Sequence, residues 1–98
     1  MTDSLPLLET EIRSLLDNPP ARSRTARELV EHTLTDGYAH ALALDGHRLR
    51  VERRLRDLVR SAAAAGAQVA DVSRELAEID TELARLRALL STLRAHAL

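Results

Sequence analysis

A stripe of apolar residues through the last third of the chain constrains the fold more than any other feature. Its spacing alternates between three and four residues without a break, which is the a/d pattern of a coiled coil. Such a narrow seam needs a partner helix along its whole length. The seam consists of Val69, Val72, Leu76, Ile79, Leu83, Leu86, Leu90, Leu93 and Ala97.

The composition restricts the fold class. Three glycines and three prolines allow few turns, and Tyr38 is the one aromatic residue. A core of Leu, Val, Ile and Ala suits interdigitating helices better than a sandwich or a barrel. We therefore predict an all-α fold, organised as a single helical domain over residues 1–98.

Helix start and stop signals divide the chain. Pro19 and Pro20 end a first helix, and Thr25 and Glu28 form a capping box that starts a long one. Gly37 predicts a kink at 36–37, and Gly66 fits the left-handed residue just past a helix end. The predicted elements are a helix at about 4–17, a linker at 18–24, a long helix at about 25–65, a turn at about 66–70 and a helix at about 71–97.

The region around Gly66 decides the overall shape, and two arrangements are open. The small residues at 62–67 suit a turn where two helices converge, which predicts an antiparallel coiled-coil helical hairpin. The heptad phase is the same on both sides of Gly66, however, as one continuous helix in a parallel coiled coil would require. That rod would span about 110 Å at 1.5 Å per residue. We favour the hairpin, because four successive alanines leave almost no side-chain volume for a parallel seam.

The hairpin predicts a register. Folding back about Ala67 pairs apolar layers and two sets of opposite charges, with the first helix covering the open end. The predicted pairs are Leu55 with Ile79, Leu58 with Leu76, Val51 with Leu83, Leu44 with Leu90, Arg54 with Glu82 and Asp45 with Arg87.

Apolar residues outside this seam predict self-association. A two-helix seam does not bury them, whereas pairing two hairpins into a four-helix bundle would. We therefore expect a homodimer. Its predicted face consists of Tyr38, Leu42, Leu49 and Leu89.

The most basic stretch lies between Arg48 and Arg60, and it suggests a contact with a polyanion. Glu52 and Asp57 lie among the arginines, no aromatic platform accompanies them, and the net charge is −1, which together argue against a nucleic-acid partner. Arg48 itself falls on the seam, where it would specify register. The residues of the polyanion hypothesis are Arg50, Arg53, Arg54, Arg56 and Arg60.

Residues for catalysis or for a cofactor are not arranged in any recognisable pattern. The chain has no cysteine, its serines stand outside glycine-rich turns, and no Glu-x-x-His pair occurs. His40 and His47 would be about 10 Å apart along a helix, too far to share one ion. We therefore predict no enzyme activity, no metal and no cofactor.

These features predict a non-enzymatic coiled-coil module for protein–protein interaction or oligomerisation, acting as an adaptor or scaffold. It would form a homodimer and dock a further helical protein. The N-terminus lacks signal-peptide features and no segment is long enough to span a membrane, so we expect a cytoplasmic protein. The alternative is a small helical regulator that binds nucleic acid through the basic stretch.

Overall fold

The computed structural model describes residues 5–17, 24–61 and 66–97. The described residues form three helices, α1 (Leu5–Asp17), α2 (Arg24–Arg60) and α3 (Gly66–Ala97), and include no strand. Every pair of helices is in contact, and the molecule measures 60 × 21 × 18 Å. The predicted all-α class is confirmed.

Two apolar clusters form the core. The larger lies where all three helices meet, and the smaller involves α2 and α3 only. The larger comprises Leu5, Leu8 and Ile12 of α1, Val30, Ala41 and Leu44 of α2, and Leu83, Leu86, Leu90 and Leu93 of α3. The smaller comprises Val51, Val72 and Ile79, with Leu55, Leu58 and Leu76 packed against it. The apolar seam of α3 thus packs against α2 along both clusters, and against α1 only in the larger one.

Ion pairs between α2 and α3 define how these helices align. Asp45 pairs with Arg87 at 2.6 Å, Arg48 with Asp80, and Arg54 with Glu75. The partner position in α3 becomes earlier as the position in α2 becomes later. The pair Asp45–Arg87 forms as predicted. Arg54 contacts Glu75 and not Glu82, because α2 ends at Arg60 and α3 begins at Gly66, which places the connection about five residues earlier in the chain than predicted.

The connection between α2 and α3 differs from the prediction. Helix α2 ends at Arg60, and the Ser61 amide donates to the carbonyl oxygens of Asp57 and Leu58, both at 3.1 Å. Residues 66–70, predicted as a turn, are the first turn of α3. Gly66 therefore starts a helix, and its φ is not positive. The predicted helical alanines at 62–65 lie outside the described residues, as do residues 18–23 of the linker predicted at 18–24.

The start of α2 also departs from the predicted capping box. Arg24, assigned to the linker, is already helical, and its Nε donates to Glu28 Oε1 at 3.3 Å. The Glu28 carboxylate is thus engaged by a side chain within the first turn. Opposite charges four residues apart are neighbours on a helix surface, which explains this preference.

Gly37 does not interrupt α2, although the sequence signal at 36–37 allows a kink or a break there. The helix runs without a break from Arg24 to Arg60, and Gly37 is buried against Leu90 of α3. A Cβ at this position would overlap Leu90 Cδ2 and lie 3.2 Å from its Cγ. The missing side chain permits a close approach of α3, which is a packing role and not a conformational one.

Replacement of Gly37 by alanine should therefore destabilise the protein. Crowding a packed core costs about 1–3 kcal/mol, and the better helix propensity of alanine returns about 1 kcal/mol. We expect a net loss of up to about 2 kcal/mol in the free energy of unfolding, measured by urea denaturation at a protein concentration low enough to keep the chain monomeric. The matched control is Gly46→Ala, whose new Cβ would lie 3.5 Å from Arg50 Nη1, an ordinary contact. That variant should be as stable as wild type or more so. Equal losses in both variants would contradict the packing role.

Polar contacts fix α1 as well. Glu9 is buried, and its carboxylate accepts two hydrogen bonds from Arg85 of α3, at 2.8 and 3.0 Å. Those hydrogen bonds and the charge of Glu9 raise the pKa of Arg85 above its ordinary value, so the guanidinium stays charged. On α2, the buried Thr33 hydroxyl donates to Glu11 Oε1 at 3.0 Å. These contacts set the position of α1 on both longer helices.

Candidate interaction surface

The predicted interaction seam of α3 lies inside the molecule. Val69 and Leu76 are half-buried, and every other member from position 72 to position 93 is buried. Their contacts are with α1 and α2 of the same chain. The residues buried there are Val72, Ile79, Leu83, Leu86, Leu90 and Leu93. The seam holds the fold together, and another protein would have to bind elsewhere.

Three of the four residues predicted for the dimer face are exposed on α2. Tyr38 is 44% exposed, Leu42 74% and Leu49 55%. Leu89 does not belong with them, because it is half-buried and packs against the three-helix cluster. That cluster extends around α3 once α1 is in place, and a contact of Leu89 across a dimer stays a prediction.

The exposed apolar residues of α2 belong to a longer line of residues, which we call the outer stripe. Its members recur every three or four residues, with a mean close to the 3.6 residues of a helical turn, so they stay on one side of a straight helix. All of them except the half-buried Gly46 are exposed. The outer stripe consists of Glu31, Thr35, Tyr38, Leu42, Gly46, Leu49, Arg53, Arg56 and Arg60.

Helix α2 buries its other side. The residues that pack inward are Val30, Thr33, Gly37, Ala41, Leu44 and Val51. Helical geometry at 100° per residue places them more than a quarter turn away from the centre line of the outer stripe. The outer stripe thus faces neither α1 nor α3, and it is apolar in its middle.

The arginines of the basic stretch fall into two groups, those in ion pairs and those without one among the described residues. Arg48 pairs with Glu52 and Asp80, and Arg54 pairs with Glu75, so both arginines are engaged within the chain. The hydrogen bond to Asp80 raises the pKa of Arg48 above its ordinary value. The other arginines are exposed and form no ion pair within the part of the chain that the structure describes. They are Arg50, Arg53, Arg56 and Arg60.

Sequence reasoning missed a groove between α1 and α2. Its volume is about 420 Å³, and it is lined by Leu7, Leu8, Glu11, Asp36, Ala39 and His40. Leu7 is 74% exposed at this groove, whereas Leu5, Leu8 and Ile12 of the same helix are buried. The spacing of leucines in α1 signals which of them pack inward, and Leu7 falls between those positions.

The described residues include neither a metal-binding group of side chains nor a helix that could span a membrane. No group of three or more His, Asp or Glu side chains there is placed to hold a metal ion. Likewise, none of the helices over 5–17, 24–60 and 66–97 combines the length and the apolar character needed to cross a membrane.

Comparison with known proteins finds no family model, no curated protein and no solved structure that matches this chain.

Proposed function

We propose that the protein is a non-enzymatic coiled-coil module that self-associates as a homodimer and acts as an adaptor or scaffold. In this proposal α2 and α3 form an antiparallel coiled-coil hairpin, and α1 braces the end remote from their connection. The outer stripe of α2 is the dimer face. The observation that carries the proposal is the exposure of Tyr38, Leu42 and Leu49 on a helix whose inward side is already packed.

The position of these residues distinguishes them from ordinary surface leucines. Single exposed apolar residues are common and need no explanation. Here three large side chains follow one another along the same side of α2, with little else around them to cover their surface. An apolar centre flanked by charged residues is the usual composition of a helix–helix interface.

The charges on the rest of α2 and α3 also favour a protein partner over a polyanion. Arg48 and Arg54, the two members of the basic stretch with ion pairs, are directed to acidic residues of α3. Arg53, Arg56 and Arg60 lie on the same stripe as the exposed leucines. A partner for that stripe must match both apolar and basic surface, and a helix can do so.

The double substitution Leu42→Glu, Leu49→Glu tests the proposal. Because both side chains are exposed, the variant should keep its helical circular dichroism. Two carboxylates per subunit in an apolar interface should reduce the mass measured by light scattering from dimer to monomer, with the dissociation constant raised at least a hundredfold. A folded variant that retains the dimeric mass would place the interface elsewhere.

The matched control is Leu7→Glu. Leu7 has the same exposed fraction as Leu42, 74%, but lies on α1. It should leave the dimeric mass unchanged. A wild-type protein that is monomeric at all concentrations would overturn the homodimer. Salt-sensitive binding of the wild type to DNA or RNA fragments would then favour the regulator hypothesis.

A further inference from the structure

We propose that a second copy of this chain binds the outer stripe in antiparallel orientation, with Gly46 at the two-fold axis. This inference rests on the proposed self-association and specifies its partner, direction and register. Three observations carry it: the polarity of charge along the outer stripe, the self-complementary register, and a glycine that the fold of the single chain does not require.

The charge of the outer stripe changes from one end to the other. Glu31 stands at its N-terminal end, whereas Arg53, Arg56 and Arg60 occupy its C-terminal end. Parallel pairing would set each of those arginines against its own copy, which gives three layers of like charge. Antiparallel pairing brings the acidic end of each helix to the basic end of the other.

One antiparallel register sets every member of the outer stripe except the central Gly46 against another member. When Leu42 lies opposite the partner's Leu49, Glu31 lies opposite the partner's Arg60. The same register sets Tyr38 against the partner's Arg53, a pairing of an aromatic ring with a guanidinium that favours contact. Each of these pairs occurs twice, as a two-fold symmetric interface requires. The centre of the register falls between positions 45 and 46, close to the middle of α2.

Gly46 is unexplained by the fold of the single chain. It lies within α2, where glycine is less favourable than alanine, and its φ is not positive. A Cβ there would make only an ordinary contact with Arg50, so no intrachain packing demands its absence, in contrast to Gly37. At the centre of the proposed register, a residue without a side chain lets two helix backbones approach closely.

Cysteine cross-linking tests the direction and register. The chain has no cysteine, so Thr35→Cys and Arg56→Cys each introduce a single exposed thiol. The register places residue 35 opposite residue 56 of the partner. Two copies of residue 35 would then be 21 positions apart, or about 32 Å along the helix. A mixture of the two variants should yield a covalent dimer with a short bis-maleimide, and neither variant alone should do so.

The outcomes separate this inference from the proposed function. A covalent dimer from either variant alone would indicate parallel pairing and overturn the inference. A dimeric mass with no cross-link in the mixture would also overturn it and leave self-association standing. A monomeric wild type would overturn both. The mixture repeated in the Leu42→Glu, Leu49→Glu background controls for random collision, and circular dichroism of each variant establishes that it is folded.

Discussion

Leu86→Ala is expected to cost about 3–4 kcal/mol of the free energy of unfolding. Leu86 is fully buried in the cluster where all three helices meet. Truncation there loses the transfer free energy of the removed atoms and leaves a cavity that the surrounding helices fill only in part. Domains of this size have total stabilities of about 5–15 kcal/mol, so the variant should be close to the limit of folding.

Urea denaturation followed by circular dichroism measures this loss as a lower midpoint. The control is Leu76→Ala, which removes the same atoms from a half-buried position in the two-helix cluster. It should cost about half as much, because solvent already reaches the site. Similar losses at both positions would show that α1 adds little to the packing around Leu86.

The apolar period of α3 was the most informative part of the sequence. It predicted the helix and the residues that it buries, from Val72 to Leu93. A strict heptad gives a helix one continuous apolar side, and that side must be buried against another helix. The first helix was expected to cover the open end, and α1 does pack against Leu83, Leu86, Leu90 and Leu93. The apolar period of α3 did not show how far that contact extends, so Leu89 was assigned to an external face although it packs against the same cluster.

Local glycine signals were the least reliable. Gly37 and Gly66 each have the conformational freedom to end or bend a helix, and the sequence offers no means of knowing whether that freedom is used. In the structure Gly37 makes room for Leu90, and Gly66 begins α3. Both outcomes depend on contacts between residues distant in the chain. The outer residues Leu42 and Leu49 were identified correctly as exposed, because their angular position on α2 follows from the helical period alone.

Arg85→Ala should destabilise the protein more than removal of any other arginine in an ion pair between helices. Glu9 is 4% exposed, and its carboxylate accepts two hydrogen bonds from Arg85. A third contact, with Arg13, is longer at 3.5 Å. Without Arg85, the buried Glu9 carboxylate would lose most of the interactions that offset its desolvation cost. Arg87→Ala is the control, because its partner Asp45 is 40% exposed and water can replace the lost contact. The urea midpoint should fall several times further for Arg85→Ala.

A double substitution separates the cost of an unpaired charge from the value of the pair. Glu9→Leu, Arg85→Leu removes both partners and leaves apolar side chains against a cluster that contains Leu8 and Ile12. Because desolvation offsets much of the attraction in a buried pair, this variant should be about as stable as wild type, although Arg85→Ala is not. A double variant as unstable as Arg85→Ala would mean that the pair itself holds α1 on α3. In that case α1 should detach in high salt, which amide hydrogen exchange in residues 5–17 would detect.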